Sequence, residues 1–207
     1  MLNVALPKGR LGDQVFGLLR SVGYDCREME ESSRKLVFRA EENGVSYFLV
    51  KPSDVGIYVE HGAAAVGVVG KDVLLETGAD VYELLDLNLG KCRLAVAAPE
   101  DFAEDTGAVL RVATKYPNVA KAYYRDMNRN IDIIGLHGSI ELAPLLGLSD
   151  VIVDIVETGA TLRENHMKVF ADITDSSARL IANVSSYKFK RREMDRMTAR
   201  LSEAIQL

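Results

Sequence analysis

Residues 151–165 read VIVDIVETGATLREN, an apolar run carrying Asp154, then the small polar loop Glu157-Thr158-Gly159-Ala160-Thr161, then a helix-like stretch. Backbone amides that follow a strand of an α/β sheet point into a crevice at its carboxyl end, where such folds bind ligands. Unpaired amides and the dipole of a helix start favour an anion there. Gly159 lets the backbone approach a phosphate closely, Ala160 adds no bulk, and Thr158 and Thr161 add hydroxyl donors. Asp154 and Glu157 would repel a phosphate, so they need another task. Carboxylates accept hydrogen bonds, and the two hydroxyls of a ribose are natural donors. The stretch therefore reads as a grip on a ribose 5-phosphate. A plain helix start competes with that reading, because Thr161-Leu162-Arg163-Glu164 matches a capping box. The chain supplies a control in Glu76-Thr77-Gly78-Ala79-Asp80, nearly the same letters after a helical run, where Gly78 reads as a C-cap. Only the second copy has the strand-loop-helix context.

The elements that must hold this loop follow from periodicity. NVALP (3–7) reads as a buried strand and residues 10–23 as a helix with Leu11, Val15, Leu18, Leu19 and Val22 on one face, closed by Gly23. KLVFRA (35–40) and VSYFLV (45–50) flank Asn43-Gly44, a hairpin signal. A helix capped by Ser53 and ended by Gly62 precedes a strand at 65–70 and a helix at 71–78. Further strands are expected at 93–99, 111–117, 131–136, 150–156, near 168–173 and from 178, and helices at 118–128, 139–146 and from about 162. A last amphipathic helix over 188–207 has the stripe Met194, Met197, Leu201 and Ile205, and its cluster Lys188, Lys190, Arg191 and Arg192 reads as a solvated face. Alternating strands and helices predict an α/β protein with mostly parallel sheets flanked by helices. Two lobes fit the order.

Bulk properties narrow the function classes. With 207 residues, 48% apolar, the chain can bury a real core, and a net charge of −5 argues against a general nucleic-acid binder. No window approaches the ~18 apolar residues of a membrane span, and the N-terminus has no apolar signal region, so a cytoplasmic chain is expected. Cys26 and Cys92 are expected to be reduced, and His61, His137 and His166 show no metal spacing.

The chain resembles the ATP phosphoribosyltransferases, which begin histidine biosynthesis. The resemblance is carried over essentially the whole length by LPKGRL (6–11), SRKLVF (33–38), SDVGIYVEHGAAAVGVVGKDVL (53–74), GSIELAPLLGLSDVIVDIVETGATLREN (138–165) and ARLIANVSSYK (178–188). It implies a two-lobed fold like type II periplasmic binding proteins, with residues 1–92 plus 178–207 as one lobe and 93–177 as the other. It implies the joining of ATP to phosphoribosyl pyrophosphate (PRPP), giving N1-(5-phosphoribosyl)-ATP and pyrophosphate, with Mg²⁺ carried mainly by the substrates and no protein metal site. The chain looks like the short form of the family, which works with a regulatory subunit resembling histidyl-tRNA synthetase, so dimers within a hetero-oligomer are expected. One departure stands at 51–58, where the family's Arg-Pro-Ser-Asp-x-Pro-Thr-Tyr is Lys51-Pro52-Ser53-Asp54-Val55-Gly56-Ile57-Tyr58. Lys51 keeps a cation and loses the planar fork of arginine.

The reaction is a displacement at the anomeric carbon by N1 of adenine, so catalysis is mainly positioning and electrostatics. The resemblance makes Lys8, Arg10, Arg34 and Lys51 the candidates for contact with the reacting polyanions. Asp154, Glu157, Thr158, Gly159, Ala160 and Thr161 bind PRPP in this reading. Gly9, Gly70, Lys71, Ser139 and Glu141 are candidates for the ATP side of the cleft. Two alternatives share parts of the pattern. One is a non-catalytic binding module of the same fold, against which the missing signal region argues. The other is a purine or pyrimidine phosphoribosyltransferase of the common type, whose two acids are adjacent, whereas Asp154 and Glu157 are split by Ile155-Val156.

Overall fold

Short apolar runs without helical period have become strands, and amphipathic runs have become the helices that cover them. The computed structural model describes residues 1–29 and 35–206, so Arg34 lies outside the described residues. The chain divides into two compact units, Met1–Gly90 with Ser177–Leu207, and Lys91–Ser176. Among the described residues no helix is long and apolar enough to cross a membrane.

In the first unit, β1 (Leu2–Pro7), β2 (Val37–Ala40), β3 (Val45–Val50), β4 (Val66–Gly70), β5 (Val81–Asp86) and β11 (Ala178–Asn183) form one sheet in the order β2-β3-β1-β4-β11-β5. Its centre, β3-β1-β4, is parallel. Helices α1 (Arg10–Ser21) and α7 (Val184–Ile205) cover one face, where Val15, Leu19, Met194, Met197 and Leu201 bury against Leu2, Val4, Leu6, Val66, Val68 and Leu180. On the other face α2 (Val55–Glu60) packs Val55 and Val59 against Ala5, Val69 and Ile181. The next helix, α3 (Lys71–Thr77), starts directly from β4.

In the second unit, β6 (Cys92–Pro99), β7 (Leu110–Thr114), β8 (Ile131–Gly135), β9 (Val151–Val156) and β10 (Met167–Ser176) form a sheet in the order β10-β6-β9-β7-β8. Helix α4 (Pro117–Asp126) lies on one face, with Ala120 and Tyr124 against Val96, Val112, Val151 and Val153. The short helices α5 (Leu142–Leu145) and α6 (Ala160–Glu164) lie on the other, with Ala143 and Leu162 against Ala95, Ala113, Ile152 and Val156.

Several expectations are corrected. The sheets are mixed, with parallel cores β3-β1-β4 and β9-β7-β8 and antiparallel pairings elsewhere. The hairpin at Gly44, in the left-handed region at φ 68°, forces β2 antiparallel, and β11 runs against both β4 and β5. Strand β5 has no counterpart in the periodicity reading. VYELLD lacks a clean alternation and is held by pairing with β11. Ser53 does not cap α2; its hydroxyl donates to Asp54 instead, and Pro52–Asp54 forms a 3₁₀ turn ahead of the helix. The last helix starts at Val184, not 188, because the Asn183 carboxamide oxygen accepts the Ser186 amide at 2.7 Å and caps it. It is kinked at Lys190. The helix expected over 139–146 shrinks to Leu142–Leu145.

Candidate active site

The loop after β9 is built from the strand outward. Val151, Ile152 and Val153 are buried, Asp154 is half-buried, and Val156 turns back into the core. Asp154 Oδ1 accepts the Ile155 amide at 2.8 Å, which steadies the carboxylate at the rim of the sheet. Glu157 and Thr158 are exposed, and Gly159 then adopts φ 71°, the left-handed conformation that glycine enters without steric cost. Helix α6 begins from Gly159 as its N-cap, so Thr161 lies inside the first turn and the capping-box reading fails. The Thr158 hydroxyl oxygen accepts from the Ala160 amide at 3.4 Å, a long contact that leaves it close to the first-turn amides. Arg163 folds back and donates from Nη1 to the Thr158 carbonyl at 3.0 Å, fixing the loop from below. The loop thus sets Thr158 and the first-turn residues Ala160 and Thr161 around the left-handed Gly159, four to seven residues along the chain from Asp154. The control copy behaves as a helix end, with Gly78 at φ 62° closing α3.

Residue type and spacing do not mark Thr114, at the end of β7. Its buried hydroxyl donates to the Val153 carbonyl at 2.6 Å, one residue before Asp154. Its sequence signature is a threonine closing an apolar strand, LRVAT. In the same sheet β8 ends at Gly135, and Ser139 and Glu141 follow in the turn before α5. Ser139 has φ 49°, rare for a residue with a side chain. These two candidates thus leave from the carboxyl end of β8, two strands from β9 in the order β9-β7-β8.

In the first unit the register collects the cations. Pro7 pairs with Val50 in the parallel ladder, so Lys8 and Lys51 leave neighbouring strands side by side, and the Lys8 amide donates to Val50 O at 2.8 Å. Both side chains are exposed. Gly9 has φ 94° and carries the turn from β1 into α1, where Arg10 is the first residue. Gly12 seats that helix on the strand: a Cβ there would lie 1.8 Å from the Pro7 carbonyl oxygen. β4, the other parallel neighbour of β1, ends at Gly70. Lys71 is engaged by Glu83 in an ion pair, so its ammonium already has a carboxylate on the protein. A Cβ at Gly70 would lie 2.2 Å from Asp72 Oδ1, so the carboxylate tip would have to turn aside for any other residue there.

Among the described residues no group of three or more His, Cys, Asp or Glu is placed to hold a metal ion. His61, His137 and His166 are exposed.

Residues 51–203 match the family model described as ATP phosphoribosyltransferase. A protein of Brachyspira hyodysenteriae described as ATP phosphoribosyltransferase is 59% identical over 191 residues, covering 92% of this chain and 93% of its own. Among solved structures, the ATP phosphoribosyl transferase (HisG:HisZ) complex from Thermotoga maritima matches with a TM-score of 0.88 and 36% identity, covering 100% of this chain and 98% of that one. The periplasmic aliphatic sulphonate binding protein SsuA from Escherichia coli matches with a TM-score of 0.63 at 15% identity, over 99% of this chain and 72% of that one. The last is a likeness of fold alone.

Proposed function

The chain belongs to the ATP phosphoribosyltransferase family, and from that membership we infer how its residues divide the work. The enzyme joins ATP to PRPP, forming N1-(5-phosphoribosyl)-ATP and pyrophosphate in the first step of histidine biosynthesis. The loop Glu157–Thr161 holds the 5-phosphate, with Thr158 and Thr161 donating hydroxyls and Gly159 and Ala160 leaving room for it. Asp154 and Glu157 accept from the ribose hydroxyls. Lys8, Arg10 and Lys51 neutralise the polyphosphates, and Arg34 joins them on the strength of the family pattern. Gly9, Gly70, Ser139 and Glu141 serve the ATP side. Lys71 acts there only by exchanging Glu83 for a phosphate.

Adenine N1 is essentially unprotonated at neutral pH and needs no strong base. Charge develops instead, positive on the sugar ring and negative on the departing pyrophosphate. Fixed cations and carboxylates aimed at those two centres lower the barrier without reorganising, and holding both substrates removes the entropy of their encounter. Mg²⁺, carried by the polyphosphate, would add charge neutralisation on the leaving group.

The observation that supports the residue-level reading best is the left-handed turn at Gly159 directly after a strand that presents Asp154. We also propose dimers of this chain assembled with a regulatory subunit resembling histidyl-tRNA synthetase. The Thermotoga maritima relative, similar over its whole length, was solved as a HisG:HisZ complex. A coupled assay with ATP, PRPP and Mg²⁺, with and without that subunit, should show pyrophosphate release and the N1-substituted nucleotide. No turnover under either condition would return the fold to a binding module.

A further inference from the structure

We propose that Thr114 is a positioning residue for PRPP, holding β9 in place where that strand runs on past its pairing with β7. The proposal rests on Asp154 and the 157–161 loop being the phosphoribosyl site. The pairing of β7 with β9 runs from Val112↔Val151 to Thr114↔Val153 and stops there. β9 continues through Asp154, Ile155 and Val156, which among the described residues pair with β6 alone, opposite Ala95, Leu94 and Arg93. The segment presenting Asp154 is thus an overhang, supported along one edge alone.

The last tie on the β7 side is the Thr114 side chain. Its hydroxyl, fully buried, donates to the Val153 carbonyl at 2.6 Å and accepts the Tyr116 amide at 2.8 Å. The Thr114 carbonyl meanwhile accepts the Leu136 amide of the chain leaving β8 at 3.0 Å. One residue therefore joins the ends of three parallel strands and the entry to α4, whose N-cap is Tyr116. The hydroxyl adds a side-chain bond at the last paired position, Thr114↔Val153, just where the β7–β9 ladder ends. A valine has the same shape without the hydroxyl. It would take one buried hydrogen-bond partner from the Val153 carbonyl and one from the Tyr116 amide, loosening the residue next to Asp154.

The test compares Thr114→Val, Thr114→Ser and Asp154→Asn in the full chain, assayed with its regulatory subunit where turnover requires it. PRPP affinity is measured by calorimetry with Mg²⁺, and KM is measured for both substrates. Thr114→Val should raise the Kd and KM for PRPP about tenfold and leave KM for ATP within twofold. Thr114→Ser, which keeps the hydroxyl, should restore wild-type values. A clamp of purely structural importance would lower the melting temperature of the valine variant and leave PRPP affinity unchanged, which would overturn the proposal. Equal weakening in the serine and valine variants would assign the effect to the lost methyl and overturn it as well. If the valine variant fails to fold, Thr114→Ala against Thr114→Ser makes the same comparison. Asp154→Asn separates the two levels. Weak PRPP binding there with normal binding in Thr114→Val refutes only the role of Thr114, whereas normal binding in Asp154→Asn removes the phosphoribosyl reading beneath it.

Discussion

At the scale of single residues, backbone conformation and charge decide more than side-chain identity. Gly159 sits at φ 71°, and a Cβ there would come within 3.2 Å of Arg163 Nη1. A left-handed β-branched residue is strained by roughly 1–2 kcal/mol or more, which in a protein of this size moves melting by only several degrees. Gly159→Val should therefore remain folded and lose PRPP binding at least tenfold, as calorimetry beside a melting curve would show. Unchanged affinity would end the phosphate-cradle reading. Asp150 is a second case, away from the site. Its carboxylate accepts from Arg111 Nη2 at 2.6 Å and from the Arg111 amide at 2.8 Å. The guanidinium holds its pKa below the ordinary value of 3.8. A lowered folded pKa means stabilisation that is complete above the unfolded pKa and lost as pH falls through the folded one. Asp150→Asn should thus unfold at lower denaturant near neutral pH, and its gap from the wild type should close below about pH 3.8. A gap that stays constant from pH 7 to 3 would show that the carboxylate charge contributes nothing.

At the scale of elements, close packing governs where the cations end up. α1 meets β1 through Gly12, where any Cβ would strike the Pro7 carbonyl oxygen. Gly12→Ala has no flexible side chain to displace, so the helix itself must move. Overpacking costs typically ~1–3 kcal/mol, and a backbone contact this short belongs at the upper end. The denaturant midpoint should fall accordingly, and turnover should fall with it, because Gly9 and Arg10 ride on that helix start. An alanine variant as stable as the wild type would contradict the packing argument. α7 allows a comparison within one stripe. Met197 is fully buried in the first unit's core and Ile205 is only partly buried near the chain end. Met197→Ala should cost ~2–5 kcal/mol, and Ile205→Ala well under half of that, both read from urea unfolding. Equal losses would mean that the last turn packs as tightly as the middle.

At the scale of the whole molecule, the question is what lies outside the chain. Leu146 is 79% exposed and Phe189 88% exposed, apolar surface of the kind that assemblies cover. If the proposed regulatory subunit carries the histidine site, histidine should inhibit the assembled enzyme and leave the isolated chain unaffected at the same concentration. Where histidine weakens the assembly's binding of PRPP or ATP, linkage requires that substrate to weaken histidine binding by the same factor. A histidine titration of turnover, with and without the partner, checks the inhibition. Equal inhibition in both would place a histidine site on this chain.

The sequence by itself determined most of the elements and the order of residues in the candidate loop. Asp154 to Thr161 could be read as a ribose-phosphate grip because strand, acid, hydroxyls and glycine are neighbours in the chain, and local order survives folding. Asn43-Gly44 specified a hairpin, and Gly23, Gly62 and Gly78 specified helix ends, for the same reason. What pairs with what was decided only in the tertiary structure. β5 has no apolar alternation of its own and becomes a strand because β11 lies beside it. Lys8 and Lys51 are 43 residues apart in the chain and adjacent in space only through the Pro7↔Val50 register. Lys71 follows β4 in the chain, and only the fold sets Glu83 against its ammonium. Thr114 and Val153 are 39 residues apart, and neither shows in composition or period that one hydroxyl joins them. Periodicity reports which face of an element is buried. Partner, register and direction are set by long-range contacts between segments that share no local pattern.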